Sequence, residues 1–304
     1  MDALHYAHLA IKRQLPIGFD QWDISITGGR TVAHFAAESG VLPSDFMQWD
    51  MADSHGWTVA HEAARAGTLP VDFFSEWSLA DDRGWTVAHE AAKRGILPEG
   101  FNQWHLADDS GFSVAHEAAL RCCLEITPEL DIAQADNEGW TVAHVAASTW
   151  SLPIGFNQWA LENKKGWTVA HSAAEHGCLP PLFENWEMRD CYGWSVAHHA
   201  ARHGALPDGF DQWEITGPVD IGGHHLQTRC DWSVAHEAAK HGALPDNFDK
   251  WDITDGRGWT VAHEAARAGT LPAGVPKSIM EMKNEDGWSA ADIVKSRQNL
   301  MPKN

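Results

Sequence analysis

A four-residue motif, Thr/Ser-Val-Ala-His, occurs nine times along this chain of 304 residues. Successive copies are 27 or 28 residues apart, except for one interval of 38 residues. Such near-identity at a fixed period indicates one small structural unit that stacks on its neighbours, because a single unit cannot bury its own apolar face. The sequence therefore predicts a repeat array. The motif histidines are His34, His61, His89, His116, His144, His171, His198, His236 and His263.

One clean copy, residues 84–110, shows what each unit is predicted to form. Thr86 is placed to cap a helix of two to three turns whose small apolar residues share one face. Gly95 predicts a left-handed end to that helix. The following Leu97-Pro98 predicts a second short helix, because proline is favoured in a first helical turn. Helices this short are marginal alone, so burial against the next unit must stabilise them.

Tryptophan and histidine recur at fixed places in the unit and are predicted to hold it together. Tryptophan precedes the cap, or follows the proline segment, in nearly every unit, which favours packing between units over ligand binding. Equivalent histidines of stacked helices would lie about 8–10 Å apart, too far to share a zinc ion held at about 2 Å. The residues to which we assign a structural role are Thr58, His61, Trp85, Thr86, His89, Trp167, Thr168 and His171.

The repeated string Thr-Val-Ala-His-x-Ala-Ala-x-x-Gly-x-Leu resembles the ankyrin-repeat signature built on Thr-Pro-Leu-His-x-Ala. The resemblance covers nearly the whole chain, although ankyrin units run about 33 residues and these are shorter. It implies an all-α, ankyrin-like α-solenoid of stacked helix-turn-helix repeats with short second helices and projecting turns. It also implies that the motif histidine forms hydrogen bonds within and between turns, and that the repeats bind protein partners.

The domain organisation expected from this pattern is a single repeat domain, residues 1–304. Residues 1–29 form an N-terminal cap unit, residues 30–286 form nine repeats with an insertion at 217–227, and residues 287–304 form a C-terminal cap. Terminal units of solenoids differ from the consensus because their outer faces meet water. In the last unit Asp292 stands where the other copies have histidine.

The charge balance argues against some partners. The chain has 42 acidic and 22 basic residues, a formal charge of −20 that repels nucleic-acid phosphates and disfavours direct nucleic-acid binding. No apolar run approaches the roughly 20 residues of a membrane-spanning helix. The N-terminus lacks the pattern of a signal peptide, and the five cysteines include no Cys-x-x-Cys pair. We expect a cytoplasmic protein, or one in a host cytosol if it is a delivered effector.

Candidate partner-binding residues are those that vary between units or interrupt the period. They include first-helix positions, acidic residues near the turns, a second set of histidines and the insertion. They are Glu62, Glu90, Glu117, His199, His203, His241, Asp53, Asp81, Asp82, Asp108, Asp109, Ile221, His224 and His225.

Three functions compete on this evidence. The first is a protein-protein interaction solenoid that binds or inhibits a macromolecular partner, for which a basic surface is one candidate. The second is an acidic mimic of nucleic acid that blocks the basic groove of a DNA- or RNA-binding protein, for example a host-defence nuclease. The third is a metal-dependent enzyme built on His199, His203 and His241. No phosphate loop, nucleophile elbow or metalloprotease signature accompanies them, so we expect no catalytic residue, metal or cofactor; the sequence leaves the oligomeric state open.

Overall fold

The computed structural model describes residues 3–26, 28–70, 73, 76–124, 130–217 and 231–300. The chain divides into two compact units, Met1–Pro153 and Ile154–Asn304, which are described separately. The single-domain organisation expected from the sequence therefore stays a prediction. No helix among the described residues is both long and apolar enough to cross a membrane.

In unit 1 six described helices stack in chain order, each against the next. They are α1 (Ala3–Ile11), α2 (Val32–Ser39), α3 (Val59–Ala66), α4 (Val87–Arg94), α5 (Val114–Leu120) and α6 (Val142–Ser148).

In unit 2 the helices α7 to α10 stack in the same way, and α10 packs against α12. The described elements are α7 (Val169–His176), α8 (Val196–Arg202), β1 (Thr216–Gly217), β2 (Trp232–Ser233), α9 (Val234–His241), α10 (Val261–Ala268), α11 (Lys277–Met280) and α12 (Ala290–Leu300). The predicted all-α stack of repeats is confirmed.

The first helix of each repeat forms as the sequence predicts, and α4 shows why. The Thr86 hydroxyl accepts the His89 N–H, which caps the helix start. The four small apolar residues of α4 are completely buried between neighbouring helices. Gly95 has a φ of +66°, a left-handed conformation that glycine adopts without strain, and its N–H bonds to the last carbonyls of the helix.

The cap supports a measurable prediction at Thr168, which is buried and caps α7 in the same way. Thr168→Ala should lower the free energy of unfolding by about 1–2 kcal/mol, because the His171 N–H loses its acceptor. Thr168→Ser should be close to neutral, since other repeats use serine here. Urea unfolding measures both. A loss no larger than that of the exposed control Lys165→Ala would contradict the assigned start of α7.

The predicted second helix is replaced by turns in the described repeats. The Phe101 N–H donates to the Pro98 carbonyl at 3.1 Å, which closes one four-residue turn, and the helix does not continue. The reason lies in the next repeat: the carbonyls of Trp104 and Leu106 accept the N–H groups of the first residues of α5. These donors have no partner within their own helix. The backbone of this segment is therefore committed to capping its neighbour. The short helix α11 stands in this part of the last described repeat.

The side chains of these proline turns form what we call the aromatic ladder. In unit 1, Phe73, Trp77, Phe101 and Trp104 follow one another edge to face, with ring centroids 5.0–5.7 Å apart. Edge-to-face pairs bring the positive edge of one ring to the negative face of the next. Trp104 is only 2% exposed. A second ladder in unit 2 runs from Phe156 to Trp251 in the same geometry.

The long interval of the sequence is accommodated at the turn before α9. In the regular repeats an antiparallel bridge encloses five residues, as between Ala80 and Thr86. In this repeat the bridge joins Thr216 and Ser233, which extends the closed segment by eleven residues. The insertion therefore lies where the chain already projects, and residues 218–230 lie outside the described part.

Candidate interaction surface

The motif histidines lie in the interior and link each repeat to the next. His89 is fully buried; its Nε2–H donates to the Phe112 carbonyl of the following repeat at 2.9 Å. Its Nδ1 accepts the Thr86 N–H at 3.1 Å. Since a carbonyl can only accept, the ring is the neutral Nε2–H tautomer. Burial lowers the pKa of His89 more than the hydrogen bond to Phe112 raises it, which keeps the ring uncharged.

The same forward bond occurs in four repeats of each unit. Its acceptors are the carbonyls of Trp57, Trp85, Phe112 and Trp140 in unit 1, and those of Trp194, Trp232, Trp259 and Trp288 in unit 2. The bond from His198 to the Trp232 carbonyl is present although the insertion lies between these two residues in the sequence. Asp292, in the last repeat, accepts the Ser289 N–H at 3.2 Å and its hydroxyl at 2.7 Å, as the histidine Nδ1 does elsewhere.

Three first-helix residues expected on the contact surface are instead buried. Glu62, Glu90 and Glu117 are 2%, 3% and 4% exposed. The Trp57 Nε1–H donates to Glu62 at 3.0 Å, and Arg65 pairs with the same carboxylate. The expectation that these glutamates lie on an exposed contact surface is therefore corrected: their buried carboxylates pair with half-exposed cations of their own repeats, Arg65, Lys93 and Arg121.

The sequence contained a signal for this arrangement that spacing alone did not reveal. In five of the repeats with tryptophan before the cap, the residue five positions later is Glu or Ser and accepts the indole N–H. Glu237 and Glu264 do so at 3.0 and 3.2 Å, and Ser172 does so for Trp167 at 2.9 Å. The half-buried Trp167 therefore has a polar as well as a packing role.

His199 is also buried, at 4% exposure, and lies among charged groups. Its Nε2 is 3.1 Å from Asp190 Oδ2, and its Nδ1 is 3.7 Å from Glu175 Oε1. The rings of Trp167 and His171 contact it edge to face. Burial lowers the pKa of His199, but the two carboxylates outweigh it and raise the pKa overall. His199 of α8 therefore forms internal ion pairs with Glu175 of α7 and with Asp190 of the turn that precedes α8.

His203 and His241 occupy separate sites. His203 Nε2 is 3.8 Å from Glu175, whereas His241 Nε2 is 3.2 Å from Glu237 of its own helix. Within the described ranges, no three His, Cys, Asp or Glu side chains form a group that could hold a metal ion. The metal-dependent alternative finds no ligand set there.

The acidic residues of the turns divide into two kinds. Asp81 Oδ1 accepts the N–H groups of Arg83 and Trp85, both at 2.9 Å, and Asp53 and Asp108 do the same in their turns. These carboxylates fix the turn. Asp82 and Asp109, one position later, are exposed. Of the five acidic residues that the sequence placed near the turns, these two are the exposed ones.

The two residues that follow each turn carboxylate or amide are called the tip residues. All of them are exposed, and their identity changes from repeat to repeat. They are Ser54 and His55, Asp82 and Arg83, Asp109 and Ser110, and Asn137 and Glu138 in unit 1, and Lys164 and Lys165, Cys191 and Tyr192, Gly256 and Arg257, and Glu285 and Asp286 in unit 2.

Hydrogen bonds between successive tips hold them in place. The Asp82 N–H donates to the His55 carbonyl at 3.0 Å, and the Asp109 N–H donates to the Arg83 carbonyl at 2.9 Å. Gly84 allows this close approach, because a Cβ there would lie 2.9 Å from the Asp109 nitrogen. The tips are thus a rigid row within unit 1.

The insertion residues Ile221, His224 and His225 lie outside the described residues. Their role as partner contacts stays a prediction.

The projecting turns and the histidine bonds within and between repeats match what the sequence resemblance implied. The repeat is ankyrin-like. No protein-family model and no curated protein matches the chain. Among solved structures, it is similar to the ankyrin repeat domain of Bcl-3, a member of the IkappaB protein family. The TM-score is 0.40 at 17% identity, over 71% of this chain and 99% of that one.

Proposed function

We propose that this chain is a protein-interaction scaffold that presents its tip residues to a partner. The observation that supports this most directly is the contrast within each repeat. The motif residues are buried and nearly invariant, whereas the tip residues are exposed and differ in every described repeat. A constant frame that carries a variable row is suited to recognition of one particular surface.

The hydrogen bonds between tips support the same proposal through the cost of binding. A loop that becomes ordered on binding loses conformational entropy, and this loss weakens the complex. Because the Asp82 and Asp109 N–H groups already bond to the preceding tips, the unit 1 row is ordered before a partner arrives. The proposal needs no catalytic residue, and it includes a cytosolic location and a binding or inhibitory effect on the partner.

Matched sets of substitutions test the scaffold proposal. Both sets leave the net charge unchanged and replace exposed residues, so they differ only in position. The tip set is Arg83→Ser, Asp109→Ser, Lys165→Ser and Glu285→Ser, and the control set, away from the tips, is Asp50→Ser, Arg94→Ser, Glu184→Ser and Lys277→Ser.

A protein retained by the wild-type chain from its own cells is identified and then titrated against both variants. The tip set should weaken binding by about tenfold or more, since several interface contacts are lost together, while its melting temperature stays near that of the wild type. The control set should bind like the wild type. Equal affinities of the two sets would contradict the assignment of the tips, and a chain that retains no protein specifically would contradict the scaffold function.

A further inference from the structure

A groove lies between consecutive proline turns in each unit, on the side of the repeat that carries the aromatic ladder. In unit 2 it has a volume of about 580 Å³ and is lined by residues of the turns at 206–213 and 243–250. In unit 1 it has a volume of about 590 Å³ and is lined by the turns at 15–22 and 41–48, together with Arg13.

The unit 2 groove combines an aromatic floor with an acidic rim. Phe210, Trp213 and Phe248 form the floor and contact one another edge to face, at centroid distances of 5.0 and 5.2 Å. The carboxylates of Asp208, Asp211 and Asp249 lie on the rim and are exposed.

The rim has little positive charge to balance these carboxylates. Within the described part of the chain, the three form no hydrogen bond or ion pair. The one basic residue of the lining, Lys250, is itself engaged, with its Nζ 3.3 Å from Glu214. The rim therefore has a net negative charge above an apolar floor.

The unit 1 groove has its aromatic residues at equivalent positions of the turns, and one of its two rim carboxylates is equivalent to a rim residue of unit 2. Phe19, Trp22 and Phe46 line it, and Asp20 and Asp45 are exposed at its edge. Asp20 follows its phenylalanine directly, as Asp211 does. The recurrence in two units shows that the groove arises from the geometry of the repeat, and the rim residues set its charge.

We propose that the unit 2 groove binds an arginine side chain from a basic segment of the protein partner, and this inference rests on the proposed scaffold function. The aliphatic part of arginine can pack on the aromatic floor while its guanidinium pairs with the rim carboxylates. Guanidinium is less strongly hydrated than ammonium and forms two parallel bonds to a carboxylate. The groove therefore favours arginine over lysine.

The test uses three synthetic twelve-residue peptides that differ at four positions, which carry arginine, lysine or citrulline. Citrulline keeps the shape of arginine and removes its charge. Binding to the full chain is measured by isothermal titration at 150 mM salt, where long-range attraction is screened beyond about 8 Å. The arginine peptide should bind at least about tenfold more tightly than the citrulline peptide and measurably more tightly than the lysine peptide.

Two variants with the same change in net charge separate the groove from general acidity. The groove variant carries Asp208→Asn, Asp211→Asn and Asp249→Asn, and the control carries Asp50→Asn, Glu162→Gln and Glu187→Gln, which are exposed and lie outside both the groove and the tips. The groove variant should lose about tenfold in affinity for the arginine peptide, and the control should stay within about twofold of the wild type. Equal losses would show attraction to overall charge alone and would overturn the groove site, as would equal binding of arginine and lysine peptides.

The groove variant also separates the two proposals when it is titrated against the identified partner. A partner that binds this variant like the wild type, yet fails to bind the tip variant, would overturn the groove site and leave the scaffold function standing. If the partner instead binds a nucleic-acid-like acidic surface, both three-carboxylate variants should lose affinity equally, and the affinity should depend steeply on salt.

Discussion

Acidification from pH 7 to pH 4.5 is expected to lower the free energy of unfolding of unit 2 by about 5 kcal/mol, from two histidines alone. Burial, the largest cause, lowers the pKa of both His171 and His198 to about 4, against about 6.5 in the unfolded chain. The unfolded state then binds more protons below pH 6.5. The contribution of the two neutral histidines to the free energy of unfolding is therefore fully present above pH 6.5 and is lost as the pH falls toward 4.

Below about pH 6.5, His199 offsets little of this loss. Its pKa is raised, so its contribution is fully present below pH 6.5 and is lost only as the pH rises through its folded value. The carboxylates of Glu175 and Asp190, which contact it, have lowered pKa values. They therefore lose their contribution at lower pH than the measured range.

Urea unfolding followed by circular dichroism at several pH values between 7 and 4.5 measures the effect. His198→Gln is an informative variant, because glutamine at this position can still reach back to the helix cap without taking up a proton. It should reduce the number of protons taken up on unfolding near pH 5 by about one. His55→Gln, which replaces an exposed imidazole, is the control substitution. A wild-type profile that is flat between pH 6.5 and 4.5 would contradict the neutral, buried state of the motif histidines.

Trp104→Ala is expected to lower the free energy of unfolding of unit 1 by about 3–5 kcal/mol. The indole is 2% exposed and lies in the aromatic ladder, 5.0 Å from the ring of Phe101. Truncation removes the transfer free energy of a large side chain and leaves a cavity between rigid turns. The loss should appear as a lower urea midpoint, with little change in the slope of the free energy of unfolding against urea concentration.

Two controls separate packing from other roles of tryptophan. Trp150→Ala removes an indole that is 70% exposed and should cost less than about 1 kcal/mol. Trp104→Phe keeps an aromatic ring in the ladder and removes an Nε1–H that has no hydrogen-bond partner among the described residues, so its cost should fall well below that of alanine. Similar losses for Trp104→Ala and Trp150→Ala would contradict the ladder as a source of stability.

The sequence predicted the elements that depend on contacts within one repeat. Thr86 as a cap and Gly95 as a left-handed end follow from local backbone chemistry, and both are present. The prediction of a second helix was wrong because the interaction that decides the conformation of this segment is not local. The Trp104 carbonyl accepts a hydrogen bond from the start of the next repeat's helix. Proline after leucine is compatible with a helix or a turn, and the neighbouring repeat decides between them.

The candidate site was less predictable for a related reason. Glu62 occupies a polar position whose residue differs between repeats, and this suggested an exposed contact. In the structure Glu62 is buried, and its carboxylate contacts Trp57 and Arg65. The rim of the unit 2 groove joins Asp208 and Asp249, which are far apart in sequence and lie together only through stacking. Composition shows that the chain is acidic, whereas the fold determines which carboxylates remain available.

The histidine bond gives the array a direction. Within unit 1, each of the repeats of His61, His89 and His116 offers an N–H donor to its successor and a carbonyl to its predecessor, so a copied or deleted repeat among them leaves no new group unpaired. Array length can thus change by gene duplication without redesign of any junction. The series of donors does not continue at Asp292. Its ionised carboxylate still accepts the hydrogen bonds of the helix cap, but it has no N–H or O–H group to donate to a following repeat.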